Sequence, residues 1–396
     1  MNSIMKNKSK NFSLPDVLTV SLAHLLHDIY SSFLAPILPL LIAKLGISVF
    51  QAGLLDIVRQ IPSLFNPLIG LAADKVSVRY VLIIAPVITA MGMSFLGVAS
   101  HYTAVVILVF VAGIGAALFH VPAPVLVKQV SGNQIGKGMS FYMVGGELAR
   151  TIGPLVILGA ISLWKLEGTY RLLPLGLLAS VILYFRLQKL QIVKKKEIAD
   201  KASIKPALKK LIPLFLTIAG FIFFRAGLKA ALTIYLPTYM SMKGASLWIA
   251  GGALSILQLA GAGGTFLSGT ISDKLGRKNT LLIIALANPL LLWLFINVKG
   301  ILVFPVLILN GFFLIASSPV ILALINDRDS EHPSLVNGIY MTISFVLSSI
   351  MIMAVGTAVD RYGLDLTYKM AAIAAIGTIP FVVLLKEKKE KENEDL

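Results

Sequence analysis

The chain has no cysteine in 396 residues. A disulfide framework and a thiolate metal site are therefore excluded. Charge is scarce as well: Asp, Glu, Lys and Arg make up 14%, against about 25% in ordinary soluble domains. Acid is the scarcer sign, with 19 Asp and Glu against 35 Lys and Arg, a net charge of +16. No ATP-binding loop, dinucleotide fingerprint, nucleophile elbow or spaced metal-ligand motif occurs. The expectation is a protein that is not an enzyme, has no metal or organic cofactor, and relies on an ion gradient. What the chain has in excess is apolar surface: 57% hydrophobic residues and a mean hydropathy of +0.86. No soluble core of this size could hide that surface, so lipid must be the solvent.

A bilayer core needs about 20 apolar residues per helix. Twelve stretches qualify: 16–44, 48–72, 79–99, 102–127, 138–162, 168–188, 211–240, 245–271, 279–297, 300–324, 334–358 and 365–386. Residues 1–15 are polar and lack a small-residue cleavage site, so the first stretch is expected to remain as a span. The polar segment 189–210 separates a six-helix half at 16–188 from another at 211–386, and 387–396 forms a charged tail. With the N-terminus inside, 24 Lys and Arg fall on the inner side. Seven fall outside: Lys44, Lys165, Arg171, Lys243, Lys299, Arg361 and Lys369. That bias predicts both tails and the linker in the cytoplasm of a bacterial inner-membrane protein. It also accounts for the basic excess without nucleic acid; anionic lipid is the expected contact.

The halves repeat. Gly70–Arg79 (GLAADKVSVR) and Gly269–Lys278 (GTISDKLGRK) place Asp74 and Asp273 199 residues apart, each after one apolar stretch and before the next. Pro39 aligns with Pro237 and Gly138 with Gly338 at nearly the same offset. A duplicated polytopic chain usually moves something across the bilayer.

Twelve spans, the duplication, the long basic centre and G-x-x-x-D-x-x-G-R-K together resemble the major facilitator superfamily. The motif is complete in the second half (Gly269, Asp273, Gly276, Arg277, Lys278). In the first, Gly70, Asp74 and Arg79 remain while Ser77 and Val78 replace Gly-Arg. The resemblance implies an all-α membrane protein of two pseudo-symmetric six-helix bundles. It also implies that these motif residues latch helix ends, with glycine permitting close approach. His24–Leu41 (HLLHDIYSSFLAPILPLL), Gly113–Pro122 (GIGAALFHVP) and Gly138–Pro154 (GMSFYMVGGELARTIGP) are similar to fosmidomycin-resistance-type exporters. That similarity implies proton-driven export of a small polar, often anionic, compound. Where drug exporters of this kind carry an Arg before the fourth-span glycines this chain has Val109, which leaves His120 as a substitute proton carrier. In the fifth span Gly145, Gly153 and Pro154 fit the antiporter pattern, while Ile157 and Leu158 replace its final glycines.

Charges inside spans cost about 2.5–3.5 kcal/mol each on insertion scales, so each is a functional hypothesis. Span one carries His24, His27 and Asp28, spaced to share one helix face, with His27 roughly 16 Å beyond Asp16. Imidazole exchanges protons near neutral pH. Span two carries Asp56 and Arg59, and span five Glu147 and Arg150, each at i, i+3. Glu147 and Arg150 lie roughly 14 and 18 Å from Gly138. A carboxyl in low dielectric favours its protonated form, which suits proton loading. Span seven carries Arg225 and Lys229 with no acid on the same helix.

Three embedded acids against four embedded bases leave a surplus of positive charge, and an Arg fork suits carboxylate or phosphonate. The expected proton-coupling groups are His24, His27, Asp28, Asp56, Glu147 and His120. The expected substrate contacts are Arg59, Arg150, Arg225, Lys229, Gln258, Tyr30 and Tyr142. The sequence thus reads as a monomeric secondary transporter exchanging protons for a small anionic or zwitterionic compound by alternating access. Symport or uniport of an organic anion inward is the alternative, and a non-transporting receptor a third class that would call for a soluble appendage.

Overall fold

The computed structural model describes residues 12–66, 78–132, 134–188, 204–327 and 333–385. Among these there is helix but no strand. The helices are α1 (Leu14–Ser31), α2 (Leu34–Leu45), α3 (Val49–Gln60), α4 (Val78–Ser94), α5 (Tyr102–His120), α6 (Ala123–Val130), α7 (Ile135–Trp164), α8 (Leu173–Leu187), α9 (Ile204–Thr233), α10 (Leu236–Met242), α11 (Leu247–Leu275), α12 (Arg277–Asn297), α13 (Val303–Asn326), α14 (Pro333–Tyr362), α15 (Leu364–Ala375) and α16 (Thr378–Val383). Eleven stretches of the described chain are long and apolar enough to cross a membrane. The twelfth expected span, 48–72, is represented by α3 and a 3-10 turn at Ile61–Phe65; its second half lies outside the described residues.

Proline sets two of the helix breaks. A proline ring clashes with the carbonyl four residues earlier and offers no N–H to it. Pro36 places that clash at Ser32, just after α1 ends; Pro237 places it at Thr233, where α9 ends. Pro39 and Pro237 share the 198-residue offset of the repeat but differ in place, Pro39 inside α2 and Pro237 at the start of α10.

The chain divides into two compact units, Met1–Ile47 with Leu55–Glu197 and Ser48–Leu54 with Ile198–Leu396. In the first, α1 packs along α7, and α4 on α5 and α8. Its core gathers Val17, Val20, Leu82, Phe119, Leu126 and Leu183. In the second, α11 packs along α13 and α9 on α14, around Phe215, Phe221, Leu281, Val320 and Leu324. Large apolar side chains also face outward, such as Phe266 (80% exposed) and Leu163 (75%). Such a surface needs lipid rather than water.

The repeat extends to atoms that the motif search does not reach. Gly46 and Gly244, 198 residues apart, both take positive φ (62° and 88°) after α2 and α10. Two residues on from each, Ser48 and Ser246 accept through Oγ from the N–H of Gln51 at 3.1 Å and Ile249 at 3.3 Å. Lys44 pairs with Glu167 at 3.3 Å and Lys243 with Asp365 at 2.5 Å, again at matching offsets. Each copy of the sequence repeat therefore carries its own helix stop, helix start and exposed ion pair in the same order.

Close packing in the second unit depends on Gly264, where an added Cβ would run into the Phe312 carbonyl, whereas at Gly263 it would meet nothing within 4 Å. Overpacking costs about 1–3 kcal/mol. Gly264→Ala is expected to lower the melting temperature of the detergent-solubilised protein and Gly263→Ala to leave it unchanged; equal melting curves would contradict this packing.

Candidate functional site

The embedded charges fall into separate groups. The densest lies in the first unit, where α1 and α5 face α7. His24 and Asp28, one helical turn apart on α1, are 4% and 5% exposed. His24 Nε2 is 3.2 Å from Asp28 Oδ2. His120, the last residue of α5, brings its Nε2 to 3.0 Å from Asp28 Oδ1. His27 is fully buried, 4.0 Å from the same oxygen, with its ring stacked on Phe119 at 4.5 Å. One carboxylate thus meets three imidazoles.

Tyr142 of α7 organises this group. Its ring stacks on His24 at 4.0 Å, and its carbonyl lies 2.7 Å from His24 Nδ1. A carbonyl only accepts, so Nδ1 carries hydrogen. In a neutral ring Nε2 then bears a lone pair, and it points at a carboxylate oxygen that bears lone pairs too. Two acceptors at that separation require a positive charge between them. The Tyr142 hydroxyl is 3.5 Å from His120 Nδ1. Gly145 and Gly146 allow this approach: a Cβ at Gly145 would strike the Ser21 carbonyl, and one at Gly146 the His24 ring.

Two intrahelical ion pairs make up the next groups. Arg59 donates to Asp56 Oδ1 at 2.7 Å and Gln60 to Oδ2 at 2.6 Å, so both oxygens of buried Asp56 are satisfied. Arg150 donates to Glu147 Oε1 at 2.8 Å. Glu147 Oε2 is buried without a hydrogen bond, while Arg150 is 44% exposed.

The second unit holds Arg225 on α9. Its guanidinium is 6% exposed and donates to the Leu314 carbonyl at 2.7 Å. Its Nε is buried without a hydrogen bond, and no carboxylate lies within ion-pair distance among the described residues. Lys229 is exposed on the same helix, and Gln258 is half-buried on α11.

Two expected substrate contacts have other surroundings. Tyr30 is in the core and donates to the Leu172 carbonyl at 2.5 Å. Tyr142 is buried in the histidine group.

The profile of the Major Facilitator Superfamily matches residues 20–353. The chain belongs to the Major Facilitator Superfamily. Among its relatives, the Fosmidomycin resistance protein of Escherichia coli is 26% identical over 89% of this chain and 88% of its own length. The uncharacterised MFS-type transporter YfnC of Bacillus subtilis is 24% identical over 96% and 94%. The structure of a D-xylose-proton symporter superposes with a TM-score of 0.75 at 16% identity, covering 92% of this chain and 96% of that one. The nucleoside transporter NupG gives 0.73 at 17%, covering 95% and 100%. The chain is thus a multi-pass transporter of the superfamily, with a small molecule as substrate, and not an enzyme.

The superfamily motif spans the end of α11 and the start of α12. Gly276 takes φ 84° between α11 and α12, a backbone geometry that suits glycine. Arg277 pairs with Asp273 one turn back, with Asp327 at 3.1 Å, and with Ser272 Oγ at 2.5 Å. Lys278 donates to the Val383 carbonyl at 2.6 Å. Among the described residues a Cβ at Gly269 would meet nothing within 4 Å, while Arg277 reaches Asp327 at the end of α13. Gly70 and Asp74 lie outside the described residues, and Arg79 falls in the first turn of α4.

Sequence reasoning grouped His24, His27 and Asp28 correctly on one face, but treated His120 as a separate element and Tyr142 as a substrate contact. Contacts at i+118 from His24 to Tyr142 and at i+92 from Asp28 to His120 join them, and helical periodicity carries no signal at that range.

The buried pair on α3 gives a direct test. Removing one partner of a buried ion pair costs about 3–5 kcal/mol. Arg59→Gln is expected to lower thermal stability strongly, and Asp56→Asn added to it to restore much of the loss. Additive losses would show that the two charges do not depend on each other.

Proposed function

We propose that this transporter exports a small polar or anionic compound in exchange for protons by alternating access. The observation that carries the reading is Arg225: a buried guanidinium with one carbonyl partner and an unused Nε. A buried cation with so few partners is stabilised by an anion, and a carboxylate or phosphonate matches its fork. Resemblance to the Fosmidomycin resistance protein supports the choice of class and of direction.

Proton loading is assigned to Glu147. Its Oε2 is buried and unbonded while Oε1 holds Arg150. A proton on this carboxyl cancels the charge that holds Arg150, which is then released. Uptake of H+ and binding of an anion favour different states only if each has different affinity in the two states. Exchange of charge at Glu147 and Arg225 supplies such a difference.

Proteoliposomes with an imposed pH gradient test both assignments, with fosmidomycin as the probe. Glu147→Gln is expected to abolish the dependence of its flux on the gradient, and pH-dependent flux equal to wild type would remove Glu147 from the coupling step. Arg225→Gln is expected to weaken saturation at least about tenfold, the loss of a charge-assisted hydrogen bond. Equal transport of a bulky permanent cation would overturn the anionic reading. Substrate accumulating together with protons would reverse the direction to symport.

A further inference from the structure

The histidine group does something that proton loading at Glu147 leaves unexplained. His24 Nε2 and Asp28 Oδ1 are buried, imidazole nitrogens face the carboxylate at 3.2 Å and 3.0 Å, and the Tyr142 carbonyl leaves the lone pair of a neutral His24 directed at Asp28.

We propose that His24 Nε2, the Asp28 carboxylate and His120 Nε2 form a binding site for a first-row transition-metal dication of the zinc class. One donor atom from each residue lies within 4.8 Å of the other two. A tetrahedral ion with bonds near 2.0–2.1 Å holds its donors about 3.3 Å apart. His24 Nε2 lies 3.2 Å from Asp28 Oδ2 and His120 Nε2 3.0 Å from Asp28 Oδ1, so each imidazole faces its own carboxylate oxygen. Side-chain rotation of Asp28 and the two imidazoles would close the donors on one ion, which the carboxylate would hold through one or both oxygens.

The surroundings of the donors are those of metal ligands. A ligating histidine normally donates through its other ring nitrogen to a carbonyl, carboxylate or hydroxyl, which fixes the tautomer and aims the lone pair. Tyr142 offers both partners: its carbonyl to His24 Nδ1 at 2.7 Å and its hydroxyl to His120 Nδ1 at 3.5 Å. The donor set also selects the ion. Two imidazoles and one carboxylate suit Zn2+, Co2+ or Ni2+, whereas Mg2+ and Ca2+ require a cage of oxygens. The His120 side chain is 39% exposed, which gives an entry path and leaves a coordination position for water. His27 is outside the donor set, and its ring and that of Phe119 form the dry wall behind it. The ion would supply the positive charge that the facing lone pairs demand, and would tie the end of α5 to the middle of α1.

The inference stands apart from the proposed transport cycle, because its test reads binding and no flux. Tag-free full-length protein in detergent, stripped with chelator, is titrated with Co2+ while visible d–d absorption is followed. Saturation at one Co2+ per chain is expected, with displacement by Zn2+ and none by Mg2+. His24→Ala and His120→Ala are each expected to weaken binding at least about tenfold, while His101→Ala, in a connecting turn, leaves it unchanged. Absence of a saturable signal, or equal affinity in both variants, would overturn the site and leave a proton as the charge beside Asp28. If the variants do not fold, the wild-type protein still decides: Zn2+ but not Mg2+ must raise its melting temperature, and no shift overturns the proposal.

Discussion

A carboxylate surrounded by apolar helices cannot remain alone. The free-energy cost of stripping water from such a charge is several kcal/mol even after relaxation, and the first unit is arranged around that constraint. Asp28 lies in the seam between α1, α5 and α7, and the side chains that converge there are those able to carry positive charge or donate hydrogen. Asp56 and Glu147 meet the same constraint with an arginine one turn away. The polar groups of this unit are thus a set of local solutions to one electrostatic problem, and the helices are held in register by them.

The second unit follows a different rule although its chain is a copy. It shares the helix stop at glycine and the outer Lys–carboxylate pair with the first, and the serine cap recurs at the repeat offset, so the duplicated scaffold has kept its ends. At mid-helix it has kept nothing of the acids. Arg225 lies among carbonyls and apolar side chains instead of beside a carboxylate. One half is close to neutral within itself, while the other carries an uncompensated cation. Such a division gives a symmetric frame an electrical polarity without altering its fold.

Much of this was legible in the amino acids, and the limit has a physical cause. Helix content and eleven of the twelve long apolar stretches follow from composition and spacing, because a helix in lipid must satisfy its own backbone. The pairs Asp56–Arg59 and Glu147–Arg150 follow from the i, i+3 rule and are present. Three features were not accessible. The helix breaks are set by Pro36 and Pro237, yet other prolines, such as Pro86, Pro154 and Pro289, lie inside continuous helices, so proline alone does not mark a break. His120 joins a residue 92 positions earlier, a relation that only packing creates. Tyr142 looked like a cavity aromatic, and its backbone carbonyl, which no side-chain pattern reports, turned out to matter more than its ring.

The paired glycines at 145 and 146 have a mechanical consequence. With no side chain between them and Ser21 or His24, α7 rests directly on the backbone and ring of α1. Helices in such contact cannot slide by fractions of a turn without collision, so they behave as one stiff beam. Any shape change inside this half has to be taken up where the helices are already interrupted, near Ser32 and Val121, which makes those two breaks natural points of bending.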